Sequence, residues 1–360
     1  SDMKRILIDG MSNNMGGIEK FVHTLYEILK DDCKVDFITV DDKIPFEEEF
    51  KANGSNVFRI TPRYVSVKNY KKDIDKVFKM RHYDVLWFNK TTLSSIDCLK
   101  AAKKNGVSKI ICHSHSSQNM GGKFTMMMHC LNRKRVGRFI DQRIACSPEA
   151  AEWFFGKNHK NVMIFQNAVD IKKYEPDQKI REKIRYELGV EQNFVLGHIG
   201  RFSPEKNHKF LIDIFEKVSE QTKAVLLLCG DGALKNEIQE YVKEKQLVDR
   251  IFFLGIRNDI NRILQAIDCI VFPSVFEGLP FALVEAQAAG VPCVVSDTVS
   301  KDAGLTELVH FLSLEAPLEE WRDTVLNYKD YRKVSVKKQL ADKGYSLDVM
   351  KQKVREIINS

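Results

Sequence analysis

No run in the 360-residue sequence approaches about 18 uninterrupted apolar residues, so none of it reads as a membrane span. A secretory signal is also missing: the opening Ser1-Asp2-Met3 reads as an expression scar ahead of a native Met3. Proline and glycine, at 9 and 19 residues, are not enriched, and no low-complexity segment stands out, which argues against fibrous and disordered classes. Eight cysteines (33, 98, 112, 130, 146, 229, 269 and 293) stand singly with no Cys-x-x-Cys pair. They read as buried thiols of a reducing cytoplasm, not as a zinc cluster or a disulfide framework. No recognition-helix or RNA-binding pattern occurs, so nucleic acid is not an expected partner.

What is present is length, alternation and an uneven charge. A chain of 360 residues with 44% hydrophobic and 29% charged residues is expected to hold two globular cores. Residues 1–175 hold 30 Lys and Arg against 21 Asp and Glu, whereas the remainder holds 26 against 28. The basic first half is expected either to face an anionic membrane or phosphorylated acceptor, or to be a solvated surface with no partner.

Buried-strand runs are expected at 4–8, 35–40, 57–60, 85–88, 110–113 and 144–145, and again at 194–199, 224–228, 251–254, 269–272 and 293–295. Helical patterns such as 208–220 and 234–246 lie between them, so each half predicts a parallel, doubly wound α/β sheet. The boundary is placed in the turn Asn167-Ala168-Val169-Asp170, giving domains 1–170 and 171–342 and a terminal segment 343–360 that contains an apolar-striped helix. The stretch 123–143 mixes Phe124, Met126, Met127, Met128 and Leu131 with Lys123, Arg133, Lys134, Arg135 and Arg138. It reads either as a basic amphipathic segment for an anionic membrane or as an ordinary helix with a core stripe.

Three loops carry candidate chemistry. Phe276, Glu277, Gly278, Leu279 and Pro280 follow a strand, and Pro280 is expected in the first turn of the next helix, whose N-terminus at a sheet edge suits a phosphate. Glu277 in this loop and Glu285 in the helix could accept hydrogen bonds from sugar and ribose hydroxyls. After the strand at 194–199, Arg201 and Lys206 could set two cations beside a diphosphate, or be plain surface charges. In the first half, the paired Gly16-Gly17 opens a helix but is not G-x-G-x-x-G, which argues against a dinucleotide dehydrogenase. His113 and His115 end a strand on one face; sugar contact, plain structure and metal ligation all fit, but no third metal ligand is evident. Asp73-Ile74-Asp75 imitates a metal-binding D-x-D but sits in a helical pattern that points its carboxylates apart.

Together, Glu277 and Glu285 in an E-x7-E pattern, Gly200-Arg201, Lys206, Gly230-Asp231-Gly232, Gly16-Gly17 and the 167–170 hinge resemble the retaining GT-B glycosyltransferases of family 4, especially those building capsular, exopolysaccharide or lipid-linked glycans. The resemblance covers nearly the whole chain. It implies two Rossmann-like domains with parallel sheets facing across a cleft, the first for acceptor and the second for a nucleotide-sugar, with the last helix crossing back to the first. The implied enzyme is a metal-independent, hexosyltransferase-type transferase without cofactor, cytoplasmic or at the inner face of the plasma membrane. By this similarity Arg201 and Lys206 hold the donor diphosphate, Glu285 the ribose and Glu277 the sugar. The Gly16-Gly17 loop and residues Phe276 to Pro280 close on phosphate and sugar, Gly230 lines the same site, Arg257 faces the base, and His115 reaches the sugar with His113 as rival. A sugar epimerase, a phosphorylase or a noncatalytic nucleotide-binding partner would share the architecture.

Overall fold

The computed structural model describes residues 3–360, so the scar read at Ser1-Asp2 lies outside the described residues. The chain forms two compact units, Ser1–Ala168 with Asp348–Ser360, and Val169–Leu347.

The first unit holds β1 (Lys4–Asp9), β2 (Cys33–Thr39), β3 (Val57–Arg59), β4 (Val85–Lys90), β5 (Lys109–Ser114), β6 (Gln142–Ala145) and β7 (Val162–Ile164), in the order β3-β2-β1-β4-β5-β6-β7. The second holds β8 (Phe194–Ile199), β9 (Ala224–Cys229), β10 (Ile251–Gly255), β11 (Cys269–Phe272), β12 (Cys293–Ser296) and β13 (Val309–Leu312), in the order β10-β9-β8-β11-β12-β13. All the strand pairs in both sheets are parallel. Each order reverses direction once, between β1 and β4 and between β8 and β11. Such a switch opens a crevice at the carboxyl ends of the two strands, where ligands bind in open α/β sheets.

The strands are near-continuous apolar runs because both faces are covered. In the second unit, Val195, Val225, Leu227, Ile270 and Phe272 enter one core, while the alternating Leu196, Leu226, Leu228, Cys269 and Val271 enter another. β7 and β13 fall outside the sequence reading because they are short edge strands, half-covered in part, with no long apolar run to betray them. Three further expectations are corrected. Pro280 is the residue before the helix Phe281–Ala288, extended at φ −69° and ψ 122°, not part of its first turn. The stretch 123–143 is not one segment: the helix Lys123–Arg133 ends, a 3-10 turn Val136–Arg138 follows, and Arg143 belongs to β6. All eight cysteines are free, but Cys130 and Cys146 are half-buried, so only six are interior thiols.

The terminal helix Leu347–Asn359 buries Met350, Val354, Ile357 and Ile358, and Lys4 Nζ donates to the Ile358 carbonyl at 2.7 Å, tying it to β1. In the second unit, Asp268 precedes β11 and anchors the opening of β8. It accepts from Arg181 at 2.5 Å, Arg185 at 3.3 Å and the Val195 amide at 2.8 Å. Lys333 lies beside the same cations, donating to the Leu264 and Gln265 carbonyls at 2.8 Å. Burial pushes its ammonium well below the ordinary lysine range, with Arg181 adding to the shift. Asp268→Ala leaves this cationic group without its shared carboxylate. A urea midpoint should report a loss of about 3 kcal/mol, and a loss under about 1 kcal/mol would show that the carbonyls alone suffice.

Candidate nucleotide site

Three loops at the carboxyl edge of the second sheet are laced together by main chain. The Gly200 amide donates to the Cys229 carbonyl at 3.0 Å, Phe202 to Asp231 at 3.1 Å, and Gly230 to Gly255 at 2.8 Å. This approach needs glycine. Gly230 at φ +135° has the Gly200 carbonyl where a Cβ would stand, and a Cβ on Gly232 at φ +157° would meet the Phe202 carbonyl at 2.6 Å. Gly230, expected to line the donor site, thus has a packing reason to be glycine.

From the opposite side of the switch point, the loop after β11 docks on the loop after β8. Val275 N–H donates to the Glu205 carbonyl at 2.8 Å and Asn207 Nδ2 to the Pro273 carbonyl at 3.0 Å. This brings Lys206 against Glu277 in an ion pair, mostly buried, with the ammonium also 5.0 Å from the Phe272 ring centre. The two residues come from motifs 71 positions apart. Arg201 is exposed at the mouth of the same loop, as are Phe276, Gly278 and Leu279, while Pro280 is buried.

Glu285, on the following helix, is 4% exposed and accepts a hydrogen bond from the Tyr174 hydroxyl. Burial pushes the Tyr174 phenol far above its ordinary range, and the adjacent carboxylate adds to the shift. Tyr174 and Asn207 escaped the sequence reading. Tyr174 sits in the turn after the proposed boundary with no motif to flag it. Arg257, after β10, is held by Asp259 through bonds of 2.8 and 2.9 Å, with Ile256 exposed beside it.

Within the first unit, Gly17 begins the helix Gly17–Leu29 with open space beside it, while the Gly16 amide donates at 3.2 Å to Glu19, whose carboxylate also accepts from Ser12. His113 is fully buried, accepts from Trp87 Nε1 at 3.3 Å, and stacks on His115 with ring centres 4.0 Å apart. His115 is half-buried and its Nε2 donates to Asn89 Oδ1 at 2.9 Å. Asn89 in turn donates through Nδ2 to the Asp9 carbonyl at 3.1 Å, which fixes its amide and keeps the His115 proton on Nε2, leaving Nδ1 as an acceptor. Of the two residues, only His115 has exposed surface. The D-x-D mimic splits as expected: Asp73 serves Thr61 and Asp75 serves Lys79 and Asn105. Among the described residues, only His23, Glu27 and Glu49 bring three potential metal ligands together, and none of them is a candidate site residue.

Two doubly wound parallel units, the second with its basic and acidic loops meeting at the switch point, define the α/β architecture of the GT-B glycosyltransferases. Residues 180–303 match the family described as glycosyl transferases group 1. EpsF of Bacillus subtilis, named as a glycosyltransferase, is 29% identical over 96% of this chain and 94% of its own. The UDP-Gal:alpha-D-GlcNAc-diphosphoundecaprenol alpha-1,3-galactosyltransferase of Escherichia coli is 37% identical over 38% of this chain and 36% of its own. The crystal structure of Anabaena HepE, in complex with UDP and glucose, shares the fold at a TM-score of 0.80 and 21% identity, covering 100% of both chains.

Burial pushes five imidazoles down: His115 to about 3 and His208 to about 4, while His113 and His198 fall well below their ordinary value and His129 is also lowered. Below the ordinary histidine value of 6.5 the unfolded chain takes up protons that the folded chain refuses. Stability present above that pH is therefore lost as the pH falls toward 4. His208 stacks on Phe202 at 4.3 Å and neither of its nitrogens has a partner. His208→Phe should reduce the slope of unfolding free energy between pH 6 and 4.5 by up to about 1.4 kcal/mol per pH unit. An unchanged slope would show that His208 is protonated in the folded state.

Proposed function

We propose that this chain is a retaining glycosyltransferase of family 4 that moves a sugar from a UDP-sugar to a glycan or lipid-diphosphate-linked acceptor in cell-surface polysaccharide synthesis, working at the cytoplasmic face of an anionic membrane. The observation that carries the reading is the Lys206–Glu277 pair at the switch point of the second sheet. A cation and a carboxylate held side by side suit a ligand that is a diphosphate at one end and a polyol at the other. The Escherichia coli relative, whose name gives UDP-Gal as donor and a diphosphoundecaprenol acceptor, and the family match of residues 180–303 support the donor and acceptor classes.

In this reading Arg201 and Lys206 take the diphosphate and stabilise the charge that grows on it as it leaves, the task a metal ion performs elsewhere. Glu285, oriented by Tyr174, accepts from the ribose hydroxyls, and Glu277 from the sugar hydroxyls. Arg257, oriented by Asp259, lies toward the base, and backbone of residues 276–280 reaches the phosphates. In the first unit, His115 and the Gly16-Gly17 backbone act on the sugar. The acceptor hydroxyl attacks the anomeric carbon on the face from which the diphosphate departs. The bond from that carbon to the phosphate oxygen breaks, the departing oxygen takes the acceptor proton, and the products are UDP and the glycosylated acceptor. No protein carboxylate forms a bond to the sugar.

UDP should raise the thermal midpoint of the protein, with the shift surviving EDTA and vanishing in Arg201→Ala. A shift lost on chelation, or one retained in Arg201→Ala, contradicts the role given to the two cations. Removing Lys206 as Lys206→Ala should lower transfer by roughly a hundredfold or more.

A further inference from the structure

The helix Lys123–Arg133 is built inside out. The two residues it buries are polar, His129 at 0% and Asn132 at 5% exposure. The Leu93 amide donates to His129 Nδ1 at 2.9 Å, His129 Nε2 donates to the Trp153 carbonyl at 2.8 Å, and Asn132 Nδ2 donates to the Leu93 carbonyl at 2.7 Å. His129 also lies flat on the Trp153 ring with centres 3.7 Å apart. These contacts fix the rotation of the helix about its axis. With the polar side held inward, the i, i+3, i+7 stripe of Phe124, Met127 and Leu131 faces solvent at 65%, 50% and 50% exposure. Met120, just before the helix, is 74% exposed.

A helix on the surface of a globular core turns its apolar stripe the other way. The charge around this one is equally one-sided: between Asp97 and Asp141 the sequence has nine lysines and arginines and no acidic residue. Lys123, Lys134, Arg135 and Arg138 are exposed beside the stripe. A second copy of the chain covering the face would bring like charges together. An anionic lipid surface answers both features, since it takes apolar side chains into its acyl boundary and cations at its phosphates.

We propose that the helix Lys123–Arg133 docks this protein on an anionic bilayer, with Phe124, Met127 and Leu131 entering the interface and Lys123, Lys134, Arg135 and Arg138 meeting lipid phosphates. The proposal deepens the membrane part of the function above and rests on it. Binding of the full chain to vesicles of phosphatidylcholine alone, or of phosphatidylcholine with phosphatidylglycerol, tests it by sedimentation. The wild type should bind the anionic vesicles only and be released by high salt. Phe124→Ser with Leu131→Ser, and separately Lys134→Glu with Arg135→Glu, should each weaken binding by at least about tenfold. Both variants should keep the UDP-induced thermal shift, which shows that they remain folded. Absence of vesicle binding by the wild type, or binding that survives the Phe124 and Leu131 changes, overturns the proposal. So does a wild-type dimer in sedimentation velocity that the same double variant dissolves, because a second copy then covers the stripe. Vesicle binding without any UDP shift would sink the transferase reading while leaving the docking helix in place.

Discussion

The close approach of backbone at Gly230 and Gly232 to the loop leaving β8 is the constraint on which the second unit's site depends. Because no Cβ stands there, the loops after β8, β9 and β10 share hydrogen bonds, and the segment 200–207 is held at one angle. That angle lets Glu205 and the Asn207 side chain catch the loop after β11 and sets Lys206 against Glu277. A side chain at position 230 would push the Gly200 carbonyl away and break this chain of contacts at its root.

Charge at the site is arranged economically. Lys206 and Glu277 neutralise each other without ligand, which keeps two mostly buried charges compatible with the fold. A diphosphate arriving at Lys206 would release Glu277 for hydroxyl groups, so one ligand can exchange one ion pair for two sets of contacts. Arg201 stays exposed beside this pair, and Tyr174 and Asp259 hold Glu285 and Arg257 in single orientations. Such pre-set side chains lose little freedom when a ligand binds.

Much of the fold was legible because parallel strands buried on both faces leave unbroken apolar runs, as at Phe194–Ile199 and Ala224–Cys229, each a strand buried along its whole length. The edge strands Val162–Ile164 and Val309–Leu312 left no such trace, since exposure on one side admits residues such as His310. Motifs signalled Lys206 and Glu277, but only the fold could show that residues so far apart in sequence form a pair. The supporting partners Tyr174, Asn207, Asn89 and Asp259 were not legible, because orienting another side chain requires only one polar atom in the right place. The helix Lys123–Arg133 had two sequence readings. Its register against Leu93 and Trp153, set by the buried bonds of His129 and Asn132, turns its apolar stripe outward.

The central claim is that Lys206, held by Glu277, reads the diphosphate of a nucleotide-sugar. Calorimetric titration of UDP and UMP into the wild type and Lys206→Ala tests it most directly. The account predicts that UDP binds at least about tenfold more tightly than UMP and that this preference collapses in the variant, since a charge-assisted contact to the second phosphate is lost. Equal binding of UDP and UMP by the wild type, or a preference that Lys206→Ala leaves intact, would contradict it.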